Sequence, residues 1–460
     1  MSRVDTAWLR MDNEVNLMMI VGVWLLAPAV PLARLRATVA ERLLRYHRFR
    51  QKAVPDALGA EWVDDDSFDI ARHVVAEPLK PRGGRRATPA AMQAALQARC
   101  GELASTPLDP ARPLWQFHLV ERYPGGSAII LRIHHCIADG IALIAVMNAI
   151  TDGGGSAVLP AEAAEPYEHE HEHEHEHEHE HEHDGIADTL LRALPNASSD
   201  WVRGVLQLAG DLAALAWMPD DSPTRLKGRP GGHKRVAWGE PLPLDAVKVV
   251  GKALNCSVND VLLACVTGAI GHWLRAQSKG DAAALAGQEI RAMVPVNLRP
   301  LDEAWQLGNR FGLAPLLLPV GLTNPIERVY AVHARMAALK HSTQPLLSFA
   351  VLAVAGLVTK PMQDALLGLF ARKSTAVMTN VPGPREPLHF CGATLRQSLF
   401  WVPASGDIGV GVSILSYAGG VQFGLITDAA LCPDPQAVIE QFEPEFAKLS
   451  MVTMMLPWGE

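Results

Sequence analysis

Between Thr151 and Ser222 the chain loses apolar periodicity, and the middle of this stretch, Glu168 to His183, is eight consecutive Glu-His repeats. Such a segment has no hydrophobic face to bury and reads as a solvated, low-complexity linker. Because 460 residues suffice for two cores, the interruption predicts two lobes: residues 1–150, a linker over 151–222, and residues 223–460. Short helical pieces, "GIADTLLRALPNA" and "WVRGVLQLAGDLAALAWM", lead from the linker back toward the body. The eight glutamates equal the whole formal net charge of −8. The rest of the chain is therefore neutral and offers no global field to attract nucleic acid. Alternating imidazoles also bind transition metals loosely, but a metal-buffering reading would rest on the tract alone.

Both flanking parts alternate strands and helices, which predicts an α/β fold with mixed sheets and flanking helices. Asn16 to Ala33 carries no charge, but Asp12 and Glu14 stand where a signal peptide requires cations. Pro28 and Pro31 disfavour a spanning helix. The better reading is a buried strand through "MMIVGVWLL" and a helix through "PLARLRATVAERLLRYHRF". "WQFHLVERY" and "AIILRIHH" flank Pro124-Gly125-Gly126, a hairpin signal. Two strands around Ala418-Gly419-Gly420 form a second hairpin. In "SVNDVLLACVTGAIGHWLRA" apolar pairs recur every four residues and mark one helical face. "LLSFAVLAVAGLV" is too short for a bilayer, which takes ~20 residues, and reads as a core helix or one lying on a membrane. Cys100, Cys136, Cys256, Cys265, Cys391 and Cys432 form no CxxC pair, as expected in a reducing compartment.

"LRIHHCIADGIAL" (Leu131 to Leu143) holds the densest chemistry. Neighbouring side chains on a strand point to opposite faces, so His134 and His135 cannot chelate one ion together. No HExxH or Cys/His spacing supports zinc, and no metal is expected here. One histidine is expected to be structural. The other, at a strand end, can face a cleft and take a proton from a hydroxyl near pH 7. Asp139 before Gly140 also fits a helix N-cap. No GxSxG elbow occurs, and Cys136 reads as a small buried residue.

HHxxxDG is the motif of acyltransferases related to chloramphenicol acetyltransferase and to peptide-synthetase condensation domains. Within that group the chain resembles the bacterial wax ester synthase/acyl-CoA:diacylglycerol acyltransferase family. The likeness rests on an ordered set of segments. "DTAWLRMDNEVNLMMI", "PLDPARPLWQFHLVE" and the HHxxxDG segment come first. "VNDVLLACVTGAI", "VPVNLR", "GNRFG", "TNVPGP" and "GDIGVGVSILSYAGGVQFGLITD" follow. Lys227 departs from the family, where asparagine more often precedes the glycine, and Asn297 stands where serine is more usual.

The resemblance implies two chloramphenicol-acetyltransferase-like lobes joined by a long crossover, with the active site at their interface. It implies acyl transfer from acyl-CoA to a fatty alcohol or diacylglycerol, with His135 as general base, His134 beside it and no cofactor. Asp139 would be structural and pair with an arginine, for which Arg50 is favoured over Arg48. Gly140, Asn259, Asp260 and Asn380 would shape the site or hold the oxyanion. For Asn259 and Asn380, a helix cap and a turn are equally good readings. The two basic runs, carrying Arg82, Arg85 and Arg86 and then Lys227 and Arg229, would bind CoA phosphates or face anionic lipid. Trp115 of PLW reads as core. The family implies a cytoplasmic protein held peripherally at the inner membrane face or at lipid inclusions. A same-fold acyltransferase with another acceptor and a catalytically silent lipid-binding protein are the rival readings.

Overall fold

A computed structural model describes residues 1–56, 59–81, 84, 87–153, 219–278, 285–299, 306–340, 344–358 and 360–455. The Glu-His tract, both helical pieces after it, and Arg82, Arg85 and Arg86 lie outside the described residues. Along the first part the elements are α1 (Arg3–Met11), β1 (Met19–Ala27), α2 (Leu32–Arg42), β2 (Gln51–Pro55), β3 (Ala60–Asp64), α3 (Ile70–His73), β4 (Val74–Ala76), α4 (Pro89–Ala104), β5 (Trp115–Tyr123), β6 (Gly126–His134) and α5 (Gly140–Ala149). The second part begins with β7 (Lys234–Trp238), β8 (Leu242–Pro243), α6 (Leu244–Ala253), α7 (Val258–Gln277), β9 (Ile290–Asn297), β10 (Phe311–Leu318), α8 (Pro325–Lys340), α9 (Gln344–Ala355) and α10 (Lys360–Arg372). It closes with β11 (Ala376–Pro382), β12 (His389–Phe390), β13 (Ala393–Trp401), β14 (Val410–Tyr417), β15 (Gly420–Asp428), α11 (Gln436–Ile439) and α12 (Phe442–Met454).

The first sheet runs β12-β13-β1-β6-β5-β4. β1 is apolar without alternation because both its faces are covered. Ile20, Trp24 and Leu26 join a core that also holds α2 and α5, while Val21, Val23 and Leu25 pack toward α4 and β7. Gly22 carries no side chain because Phe400 of β13 crosses over it, and a Cβ there would strike the ring. Trp115 is buried, with its indole N–H donating to the Phe49 carbonyl at 2.8 Å. The helix expected through residue 49 stops at Arg42 and continues as two 3-10 turns, Leu43–Arg45 and His47–Phe49. This tighter winding lets Leu43 and Phe49 both reach the core while Arg48 turns inward to Asp5.

The second sheet runs β10-β9-β11-β14-β15-β7, with β8 on β15. Its β14–β15 hairpin turns through Ala418 and Gly419, both at positive φ (49° and 76°), the geometry of a two-residue I′ turn. α7 is buried on more than the expected face. Leu263, Ala264, Thr267 and Gly268 are buried as well, because α8 and α12 cover the side turned away from the sheet. In α9 the side chains of Phe349, Val351, Leu352 and Ala355 are buried.

The lobes do not divide cleanly at the linker. β12 and β13, from the part assigned to the second lobe, complete the first sheet, with β13 pairing antiparallel along β1. Without them β1 would present an unpaired apolar edge. β7 of the second sheet packs against α4 of the first. The two sheets therefore share a common seam. Gly22→Ala is expected to displace Phe400 and lower stability by about 1–3 kcal/mol, the usual cost of overpacking; chemical denaturation reads this directly.

Candidate active site

β6 delivers the histidine pair to the end of the first sheet with opposite orientations. His134 turns toward the α1–β1 connection. Its Nε2 lies 3.6 Å from Asp12 Oδ1, and its Nδ1 accepts the Cys136 amide at 3.1 Å. This histidine braces the backbone. His135 faces the seam between the lobes. Its Nδ1 is 2.8 Å from Asn309 Oδ1, and the Trp8 indole stacks on it at 4.1 Å and 16°. An amide oxygen only accepts, so Nδ1 carries the hydrogen and Nε2 keeps a lone pair. Burial, against the Asn309 hydrogen bond, pushes the imidazole down to about 4, so the ring is neutral near pH 7.

Asp139 caps α5, with Oδ1 accepting the Ala142 amide at 2.9 Å. Its partner is Arg299, not Arg50. Arg299 Nη2 lies 3.1 Å from Asp139 Oδ2 and also donates to the Gly308 carbonyl at 3.0 Å. The Arg310 amide adds a third donor at 3.0 Å. Burial raises the Asp139 carboxyl, while Arg299 and the two amides pull it down. Arg50 is exposed on a 3-10 turn, where its guanidinium meets His47 Nδ1 at 3.0 Å. The neighbouring Arg48 points inward, to Asp5 at 3.2 Å and the Ile137 carbonyl at 2.9 Å. The resemblance favoured Arg50, but the fold brings Asp139's arginine from the other lobe. The available signal was the arginine that closes "VPVNLR".

His135, Asp139 and Gly140 open onto a cavity of about 200 Å³ between the lobes. Its other walls are mostly apolar: Met293, Leu313, Val377, Phe400 and Ile408 among them. Gly140 has nothing within 4 Å of where a Cβ would stand. Its amide and that of Ile141 begin α5, where helix amides lack intrahelical partners and favour negative charge. Asn297 lines the cavity and brackets Arg299, accepting its amide at 3.1 Å and donating to its carbonyl at 2.8 Å.

The other expected site residues separate. Asn380 lines the cavity and donates to Asn259 Oδ1 at 2.7 Å, which places Asn259 behind it. Asp260 does not face the cavity. It closes a capping box with Ser257 at the start of α7 and meets His333 Nδ1 at 2.7 Å. Asp260, His333 and Cys256 bring three potential ligand atoms within 4.8 Å of one another, away from the histidine pair. Lys227 is held on the carbonyls of Ala371 and Ser374 at the end of α10, so its ammonium is engaged by the protein and not presented to a phosphate. Arg229 is exposed. The six cysteines are free and buried. Asn309, Trp8 and Asp5, which reach His135 from the "GNRFG" loop and from α1, were not identified from sequence.

A two-lobe α/β scaffold with a neutral, cleft-facing histidine ahead of Asp139-Gly140 defines an HHxxxDG acyltransferase. Residues 1–262 match the model of the wax ester synthase/diacylglycerol acyltransferase catalytic domain, and residues 307–450 match that of the family's C-terminal domain. The chain belongs to this family and is an O-acyltransferase. Proteins named diacylglycerol O-acyltransferases from Mycobacterium bovis and Mycobacterium tuberculosis are each 28% identical, over 98% of this chain and 96% of theirs. Among solved structures, the wax ester synthase/diacylglycerol acyltransferase of Marinobacter aquaeolei superposes with a TM-score of 0.69 at 20% identity, covering 99% of this chain and 100% of that one. A starter condensation domain of rhizomide synthetase, solved with C8-CoA, shares the fold at a TM-score of 0.55 and 15% identity, covering 99% and 94%.

Removing one side of the buried Asp139–Arg299 pair strands the other charge, at a cost of about 3–5 kcal/mol. Arg299→Ala is therefore expected to lower the urea midpoint strongly, whereas Arg50→Ala shifts it little. The reverse ranking would restore Arg50 as the partner.

Proposed function

We propose that the protein transfers a fatty acyl group from acyl-CoA to the hydroxyl of a long-chain alcohol or of diacylglycerol. The observation that carries the reading is a buried, neutral His135 whose Nδ1 is already bonded, leaving Nε2 as the base beside a largely apolar cavity. In the proposed step Nε2 takes the acceptor's hydroxyl proton and the oxygen attacks the thioester carbonyl. The tetrahedral oxyanion collapses with cleavage of the C–S bond, and the imidazolium returns its proton to the CoA thiolate. Atoms and charge balance without a cofactor. The first-turn amides of α5 and Asn380 are the candidate oxyanion donors. Among the described residues, no hydroxyl or thiol is hydrogen-bonded to His135, which favours direct transfer over an acyl-enzyme.

The acceptor classes follow the names of the relatives and the apolar walls. For attachment to lipid, we read a peripheral mode on the cytoplasmic side, at the inner membrane face or at lipid inclusions. Among the described residues no single helix is long and apolar enough to cross a membrane. Leu357 and Met362 around α10, and Met451, Met454 and Met455 at the end of the chain, are exposed and supply apolar contact.

CoA release from palmitoyl-CoA, measured with hexadecanol and separately with a diacylglycerol, tests the reaction. Acceptor-dependent release that is lost in a folded His135→Ala protein is expected. Release that survives the substitution would remove His135 as the base, and no release with either acceptor would favour a lipid-binding role or a different acceptor.

The lowered imidazole pKa fixes the pH response. The acid limb of kcat/KM, which reports the free enzyme's base, is expected well below the ordinary histidine value of 6.5 and near 4. In the native state His135 stays neutral while the unfolded chain protonates. Its contribution to stability is thus present above about pH 6.5 and lost as pH falls toward 4. A limb near 6.5 would show that burial does not hold the His135 imidazole below its ordinary value.

A further inference from the structure

We infer that Asp5, a buried carboxylate of α1, is a positioning residue that selects the tautomer of His135. The link between them is Asn309. A side-chain amide can present either its oxygen or its NH₂ group, and the two ends impose opposite protonation on a facing imidazole. With the oxygen toward Nδ1, the ring keeps its hydrogen there and Nε2 is free to accept. With the NH₂ toward Nδ1, the hydrogen moves to Nε2 and the base is lost.

The surroundings of Asn309 leave one orientation. Its Nδ2 donates to Asp5 Oδ1 at 2.8 Å and to the His135 carbonyl at 2.8 Å. Its backbone amide donates to the same Asp5 oxygen at 3.1 Å. Both side-chain partners of Nδ2 are acceptors only, so the NH₂ group must face them and the oxygen must face His135. Asp5 is fully buried and held by Arg48 at 3.2 Å. It does not line the cavity. A carboxylate placed directly on Nδ1 would favour the charged ring in the resting state. The interposed amide directs the tautomer while remaining neutral.

Two measurements on the full chain test this. Histidine ¹⁵N spectra, with the His135 signals assigned by His135→Gln, report the tautomer without any turnover. The wild type is expected to show a protonated Nδ1, and Asp5→Ala and Asp5→Asn to populate the Nε2–H form. In parallel, kcat is expected to fall on the order of 10- to 100-fold, by analogy with outer-shell partners that orient metal-bound histidines, with KM little changed. Asp5→Glu is expected to recover part of the loss. If Asp5→Ala does not fold, Asp5→Asn, which keeps the size and removes the charge, carries the test. A folded Asp5→Asn protein that retains the Nδ1–H tautomer and wild-type kcat overturns the inference. The kinetic arm rests on the acyl-transfer reading and the spectroscopic arm does not. Absence of transfer by the wild type would therefore count against that reading alone.

Discussion

The ion pair between Asp139 and Arg299 holds the seam between the lobes together. It joins the first turn of α5, in one lobe, to the β9–β10 connection of the other. The same carboxylate receives the Ala142 and Arg310 amides, and the same guanidinium reaches the Gly308 carbonyl. Two charges buried to this degree are tolerated because nearly every donor finds an acceptor. The pair also fixes the loop that carries Asn309, one residue beyond Gly308. The position of the histidine's partner thus depends on a contact that involves neither histidine.

The surroundings of His135 solve a conflict between burial and basicity. An apolar seam shelters the reacting groups from water but disfavours the imidazolium that general-base catalysis must form. The ring is accordingly neutral at rest. Two features oppose the cost of its transient charge: the Asn309 oxygen on Nδ1 and the Trp8 face stacked on the ring. They come from the β9–β10 connection and from α1. α1 therefore packs against the histidine pair even though the chain contributes it more than a hundred residues before the motif.

Much of the scaffold was legible along the chain. The hairpins at Pro124–Gly126 and Ala418–Gly420, the buried strand β1 and the core face of α7 followed from period and turn chemistry, which are local. The opposite orientation of His134 and His135 followed from strand geometry alone. Three readings were not recoverable this way. The α2 segment gave way to 3-10 turns because two core contacts outweighed helical continuity. Arg50 lost to Arg299 because pairing is decided by distance in space. Lys227, which reads as a phosphate ligand in a basic run, closes carbonyls at the end of α10.

By itself the sequence determined the class of chemistry and the order of the parts. HHxxxDG and the ordered segments around it are short-range patterns whose meaning survives without coordinates. An acidic, aperiodic tract interrupts the apolar pattern, and that reading set the expectation of two parts on either side of it. Only the tertiary structure decided that β12 and β13 cross into the first sheet, that the motif's aspartate is held from the opposite lobe, and that Asn309 lies between His135 and Asp5. These depend on where distant segments meet, and on which polar groups are shut away from water there. No local period encodes either quantity.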